Sequence, residues 1–306
     1  MRRLGAALLG ALTLAGCGLG AGDERDGGAE LRVTRDFGRT VVGQARLEPL
    51  REGATVMRFL RSEFDVTTRF GGRFVQSIDG LAGDGAGRRD WFFFVNGLES
   101  DSGAAEYELS PGDRVQWDLR RWQAAMRAPA IVGAFPEPFR SGVEGKRRPV
   151  RVECEDVESD PCERAKQALE DEGVAPSSSS VGAPGTETVI RLVVARWPRA
   201  RVVRGAHNLE DGPEASGVFA RFAADGRSVA LLDDEGEVAR TVRPGDGTGL
   251  VLAMRPRDEE LVWLVTALDR KGLVAGVAAL SESSLRDAFA VAASDGKVEK
   301  LPLEGP

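Results

Sequence analysis

One histidine and one tyrosine occur among 306 residues. Any histidine-based mechanism would run through His207, and its neighbours Asn208 and Glu210 build no recognisable triad around it. The chain has no Gly-x-Ser-x-Gly elbow, no zinc-ligand spacing and no phosphate loop ending in Gly-Lys-Ser/Thr. The run Gly245-Asp246-Gly247-Thr248-Gly249 opens onto a strand and reads as a turn. Asp233-Asp234-Glu235 with Glu237 lacks the EF-hand spacing and reads as a solvated hairpin tip. The 48 acidic side chains leave a paired-carboxylate glycosidase as an open alternative. No catalytic constellation stands out, so the chain is read as non-enzymatic, with no metal and no cofactor. Basic charge is in deficit, at 41 Lys and Arg against 48 Asp and Glu, a net charge of −7. That balance argues against nucleic acid and anionic headgroups as partners.

Long apolar runs are scarce. The run at residues 4–14 follows Arg2 and Arg3 and is too short to cross about 30 Å of hydrocarbon. With Leu14-Ala15-Gly16-Cys17 behind it, the order is that of a secretory signal: basic, apolar, then small residues. Because the site ends in cysteine, it resembles a bacterial lipobox. The resemblance implies removal of residues 1–16 and lipidation of Cys17, with a plain secretory signal or an N-terminal membrane helix as alternatives. Loss of Arg2 and Arg3 takes the net charge from −7 to −9, so attachment to the outer membrane face would come from lipid and not from charge. Of three cysteines, Cys154 and Cys162 then remain. Export makes a disulfide between them the expected state. Two free thiols, or a metal site short of ligands, are the alternatives.

The 290 residues after the signal exceed what one core usually supports, so two domains are expected. Residues 17–29 are glycine-rich and charged and read as a flexible tether. Residues 30–122 form the first unit. Alternating runs at 31–37 and 40–47 flank Gly38-Arg39, a hairpin signal. Ala54-Thr55 opens a helix with Val56, Phe59, Leu60 and Phe64 on one face. Val66, Phe70, Phe74, Val75 and Ile78 belong to strands broken at Gly71-Gly72. Residues 91–95 and 114–119 are further strands, the first ending in the tight-turn pair Asn96-Gly97. The fold class is therefore α+β, with one helix on a mixed sheet, followed by a second strand-rich α+β domain. Residues 123–148, with Pro129, Pro136 and Pro138, read as an extended tail and linker. Residues 149–303 form the second unit. Strands are expected at 150–154, 188–197 and 261–268, a meander at 218–242, and a closing pair at 288–293 and 297–301. Helices are expected at 161–172 and 271–280, with a short one capped by Ser281. Residues 177–185 read as a solvated loop.

Four segments carry a resemblance. They are Thr34-Arg35-Asp36-Phe37-Gly38, Phe74-Val75-Gln76-Ser77-Ile78-Asp79-Gly80, Asp90-Trp91-Phe92-Phe93-Phe94-Val95-Asn96-Gly97 and Pro111-Gly112-Asp113-Arg114-Val115-Gln116-Trp117-Asp118. Together they resemble a bacterial domain-of-unknown-function family related to the C-terminal β-domain of transcobalamin and intrinsic factor. The resemblance implies a β-grasp-like fold for residues 31–122 and cobalamin as a possible ligand. It also implies a membrane transporter or a separate cobalamin-binding α-barrel protein as partner, since the second half is too strand-rich to be that barrel. Candidate ligand contacts are Trp91 and Phe93 on the aromatic strand, Asn96 at its turn, Asp79 and Gly80 before the glycine-rich stretch 81–89, and Trp117. Core packing is the competing reading for the aromatics, and turn chemistry for Asn96. Trp117 and Trp122 flank Arg120-Arg121, read either as a cation–π shelf or as core beside solvated charge. A capture protein would line a concave pocket with the aromatics of residues 91–94. A docking protein would show a flat apolar patch or an unpaired sheet edge.

Overall fold

The computed structural model describes residues 24–184, 188–257 and 260–305. The signal segment and Cys17 lie outside the described residues. The architecture is mixed α+β and strand-rich, with several sheets.

The first unit is a five-stranded sheet in the order Thr40–Leu47, Ala29–Arg35, Arg114–Arg121, Arg89–Val95, Leu98–Glu99. Ala29–Arg35 and Arg114–Arg121 run parallel, and the other pairs are antiparallel. The helix Val56–Glu63 starts where Thr55 accepts the Arg58 N–H at its N-terminus. It lays Val56, Met57, Phe59 and Leu60 on the sheet, against Leu31, Val33, Val115 and Trp117. Leu31 and Val33 are buried and flank the half-buried Arg32, whereas Val115–Arg120 is buried on both faces. A small three-stranded sheet, Val66–Arg69, Phe74–Ile78 and Leu81–Ala82, stands beside it. Phe70 lies outside these strands, in the turn Phe70–Gly72, at φ 52°.

The second unit is a seven-stranded sheet. Val150–Cys154 pairs in parallel with both Ser177–Ser180 and Ile190–Arg196, and the latter in parallel with Glu260–Ala267. Gly249–Arg257, Ala290–Ser294 and Lys297–Leu301 complete it antiparallel. Ser177–Ser180 is thus an edge strand and not a solvated loop. Four serines carry no β signal of their own, so the pairing comes from the backbone ladder and not from side-chain preference. Glu260–Ala267 is buried throughout, because both faces are covered. One face is covered by the helices Asp160–Glu170 and Arg270–Ala278. The helix Arg270–Ala278 comes close because Gly249 faces it; a Cβ there would lie 2.0 Å from the Gly272 carbonyl oxygen. The other face packs on Trp197, Phe219 and Phe222, with Trp197 and Phe222 stacked at 3.7 Å.

Cys154 and Cys162 are joined in a disulfide, tying the end of the first parallel strand to the first turn of its helix. A loop this short constrains the unfolded chain by about 2–3 kcal/mol. The double substitution Cys154→Ser, Cys162→Ser should therefore lower unfolding free energy by that amount in denaturant titration. Among the described residues no helix is long and apolar enough to cross a membrane.

Residues 123–139 lack regular structure but are no exposed linker. Ala125, Ala128 and Ile131 enter the core on one face of the second sheet, while Val132, Phe135 and Phe139 enter it on the other. The Phe139 ring lies 4.9 Å from that of Trp263. The apolar residues between the prolines anchor the segment, and Ala130 bridges antiparallel to Leu98, with the Ile131 N–H donating to the Gly97 carbonyl and the Pro129 carbonyl accepting the Glu99 N–H.

The two units share this core. Phe37 and Phe94 reach across to Phe289, at 5.1 and 5.3 Å between ring centroids. Arg32 pairs with Asp287 through both carboxylate oxygens, and the Lys300 ammonium donates to the Gly38 carbonyl. Asp36, Phe37 and Gly38 are all left-handed. The buried Asp118 carboxylate holds this turn by accepting the Phe37 and Gly38 N–H groups and the Thr34 hydroxyl. At Gly38 a Cβ would fall 1.7 Å from the Asp287 carbonyl oxygen, so only glycine permits the approach.

Burial pushes the Asp118 carboxyl up to about 6, against the pull of Thr34, the backbone donors and Arg120. Burial likewise pushes Asp113, beside Asn96, up to about 6. Both values exceed the unfolded value of about 3.9, so the folded chain binds more protons between them. The stability these two groups contribute is therefore fully present below about pH 4 and lost as pH rises through about 6. Asp101 and Glu155, held low by hydrogen bonds from Arg127 and Arg196, act in the opposite sense, at more acidic pH. The denaturation midpoint should be higher at about pH 5 than at about pH 7.5, and Asp118→Asn should flatten the difference.

Candidate functional site

A groove of about 800 Å³ opens on the first unit. Its floor comes from Trp91, Phe93 and Trp117, brought together because the strands Arg89–Val95 and Arg114–Arg121 pair with Phe93 opposite Trp117. The two rings stack at 4.9 Å, with planes 28° apart. Trp91 donates its indole N–H to the Leu81 carbonyl at 3.1 Å, which anchors it. The Trp117 indole N–H is buried and finds no acceptor among the described residues.

One wall is the turn between Val66–Arg69 and Phe74–Ile78. Phe70 and Phe74 are 74% and 59% exposed and meet edge to face at 5.8 Å. Arg69 pairs with Asp90 at 2.7 Å below them. Residues 99–106 form the opposite wall, with Trp122 and the 56% exposed Met126 nearby. There Asp101 accepts from Arg127 and from Arg255 of the second unit, at 2.7 and 2.8 Å. The second unit therefore helps to fix the groove wall.

The remaining sequence candidates lie elsewhere. Asn96 is buried; its amide donates to Asp113 and the Gly142 carbonyl and accepts the Arg114 N–H, so its polar atoms are engaged within the protein. Asp79 and Gly80 form an exposed hairpin turn outside the groove, at φ 46° and 78°. Asp79 accepts the Asp65 N–H at 2.8 Å. Both Asp79-Gly80 and Asn96-Gly97 have the paired positive φ of two-residue hairpin turns. His207 is exposed before the short helix Asn208–Asp211. Among the described residues no three His, Cys, Asp or Glu side chains gather as a metal site.

Arg120 is not solvated beside Trp117 and Trp122. It is fully buried, with its guanidinium 3.8 Å from the centre of the Phe92 ring and donating to the carbonyls of Ala125 and Met126. Phe92 thus faces Arg120, while Phe93 faces the groove, as strand alternation requires. Sequence reasoning missed Phe70, Phe74 and Met126. A usable signal was the pair of aromatics around Gly71-Gly72, too short an interval for two core strands.

Residues 53–121 match the family profile of DUF4430, a domain of unknown function. The match bears out the resemblance carried by the sequence motifs and spans the whole aromatic floor. A candidate metal-binding protein from Ruminococcus gnavus ATCC 29149 is similar over 31% of this chain and 98% of its own, at 17% identity and a TM-score of 0.27. Haptocorrin in complex with Cbi is similar over 32% of this chain and 26% of its own, at 16% identity and a TM-score of 0.24. No curated protein matches the chain.

Proposed function

We propose that this chain is an extracytoplasmic binding protein without catalysis, held at the membrane by lipid on Cys17. Its first unit, read as a β-grasp-like domain, captures a flat ligand, and a corrinoid is the class the family resemblance implies. The observation that carries the reading is the groove. About 800 Å³ lies within the usual range for small-molecule sites. Stacked rings on its floor and exposed rings on its rim suit a planar ligand. The role is accessory capture for uptake, with transfer to a membrane transporter or to a separate α-barrel protein. The Cys154–Cys162 disulfide fits an oxidising compartment.

Calorimetric titration of the chain from Gly18 onward with cyanocobalamin tests this. Binding at micromolar Kd or tighter is expected, and Phe93→Ala should weaken it about tenfold or more while the fold persists. No heat at high micromolar ligand would remove the stand-alone corrinoid reading. The rival, a docking protein with no small-molecule ligand, draws support from an open strand edge in the same groove.

A further inference from the structure

The strand Arg89–Val95 is paired along its whole length with Arg114–Arg121. On its other side the ladder covers only Phe94 and Val95, against Leu98–Glu99, and Arg89 is bridged to Asp84. Among the described residues no strand lies beside Asp90, Trp91 and Phe92 on that side. The Asn96 N–H donates to the Arg114 carbonyl, on the paired side. By alternation Phe94 and Phe92 turn their backbone groups the same way, and Trp91 and Phe93 turn theirs outward. The register that sets Phe94 against Glu99 brings Ser100 opposite Phe93, so the open stretch is residues 90–92, about 10 Å long. Natural sheets commonly blunt such edges with charge, proline or a covering segment. Here the edge opens into the groove, between a wall bearing Phe70 and Phe74 and a wall formed by residues 99–106.

We propose that this edge receives an extended segment of a partner protein, which adds as a strand in line with Leu98–Glu99. The outward backbone groups of Trp91 are those that an extended chain matches. The walls narrow the chemistry further. Arg69, Asp90, Glu99 and Asp101 are engaged in ion pairs within the protein. Arg73 on one wall and Glu106 on the other are exposed and make no ion pair among the described residues. The complementary segment therefore has apolar side chains at alternate positions, toward the aromatic floor, with one acidic and one basic side chain between them. This inference stands without the corrinoid reading. Because the floor is shared, peptide and flat ligand compete for it.

The test uses the full chain and a capped peptide, Val-Asp-Val-Thr-Val-Lys-Val. Two further versions are N-methylated on alternate amides, one along each edge of the peptide strand. Methylation of the pairing edge should weaken binding about tenfold or more, while methylation of the other edge leaves it within about twofold. Hydrogen exchange at the Trp91 amide should be rapid in the free protein and slow with peptide bound. Replacing the aspartate and lysine of the peptide by threonine should weaken binding. Equal affinity of the two methylated versions, or protection confined to other amides, would overturn the proposal. So would absence of binding by the unmethylated peptide at about 1 mM. Failure of cyanocobalamin to bind would leave these outcomes unchanged.

Discussion

Phe37→Ala should lower unfolding free energy by about 3–5 kcal/mol, the usual cost of removing a fully buried aromatic side chain. Phe37 is 1% exposed and meets Phe219 and Phe289 edge to face at 4.9 and 5.1 Å. These contacts join residues far apart in the chain, one from the first unit and two from the second. The cavity would open at the seam, where neither sheet can collapse into it alone. The backbone at Phe37 is left-handed, with φ 61°, and alanine tolerates that conformation no better, so the substitution gives no compensating relief. Denaturant titration followed by fluorescence and by far-ultraviolet circular dichroism would check the magnitude. Loss below about 1 kcal/mol would show that the seam contributes little to stability.

Arg120→Ala should cost a comparable amount, about 3–5 kcal/mol. Arg120 is 0% exposed, and burial pulls its guanidinium down to about 10, against the support of Glu99 and Asp118. Its desolvation is offset by the Phe92 ring at 3.8 Å and by hydrogen bonds to Ala125 and Met126, at 2.9 and 3.1 Å. Alanine would leave those carbonyls without their donor and Glu99 with one cation fewer. The loss should reach function as well, since residues 99–106 and Met126 line the groove. Arg120→Met replaces the stem and surrenders the donors. It should recover part of the stability if packing dominates and none if the hydrogen bonds do. Thermal unfolding of the two variants side by side separates these terms.

Much of the fold is legible without coordinates. Periodicity 3.6 over Val56, Phe59 and Leu60 marks the first helix, and alternation at residues 31–37 and 114–119 marks two neighbouring strands. Ser281 caps the short helix Glu282–Leu285 as its position before Ser284 suggests. Local signals suffice there because neighbours in sequence make the decisive contacts. The candidate site is only half legible. Trp91, Phe93 and Trp117 meet because their strands pair with Phe93 opposite Trp117, a register that the aromatic runs alone do not specify. Asn96 has a polar side chain in a turn, and nothing local distinguishes a ligand contact from a buried hub that binds Asp113 and Gly142.

The sequence by itself determines the composition-level facts: an acidic chain, a single histidine, and the strand and helix periods of a mixed α+β fold. These depend on residue type and spacing alone. Tertiary structure alone decides that residues 123–139 are buried between the units, that Arg120 is buried against Phe92, and that Phe70 and Phe74 stand exposed over an aromatic floor. It also decides that the strand Arg89–Val95 ends in an open edge. The reason is physical: burial and pairing are properties of surfaces brought together from distant parts of the chain, and a local pattern does not specify which surface its partner will be.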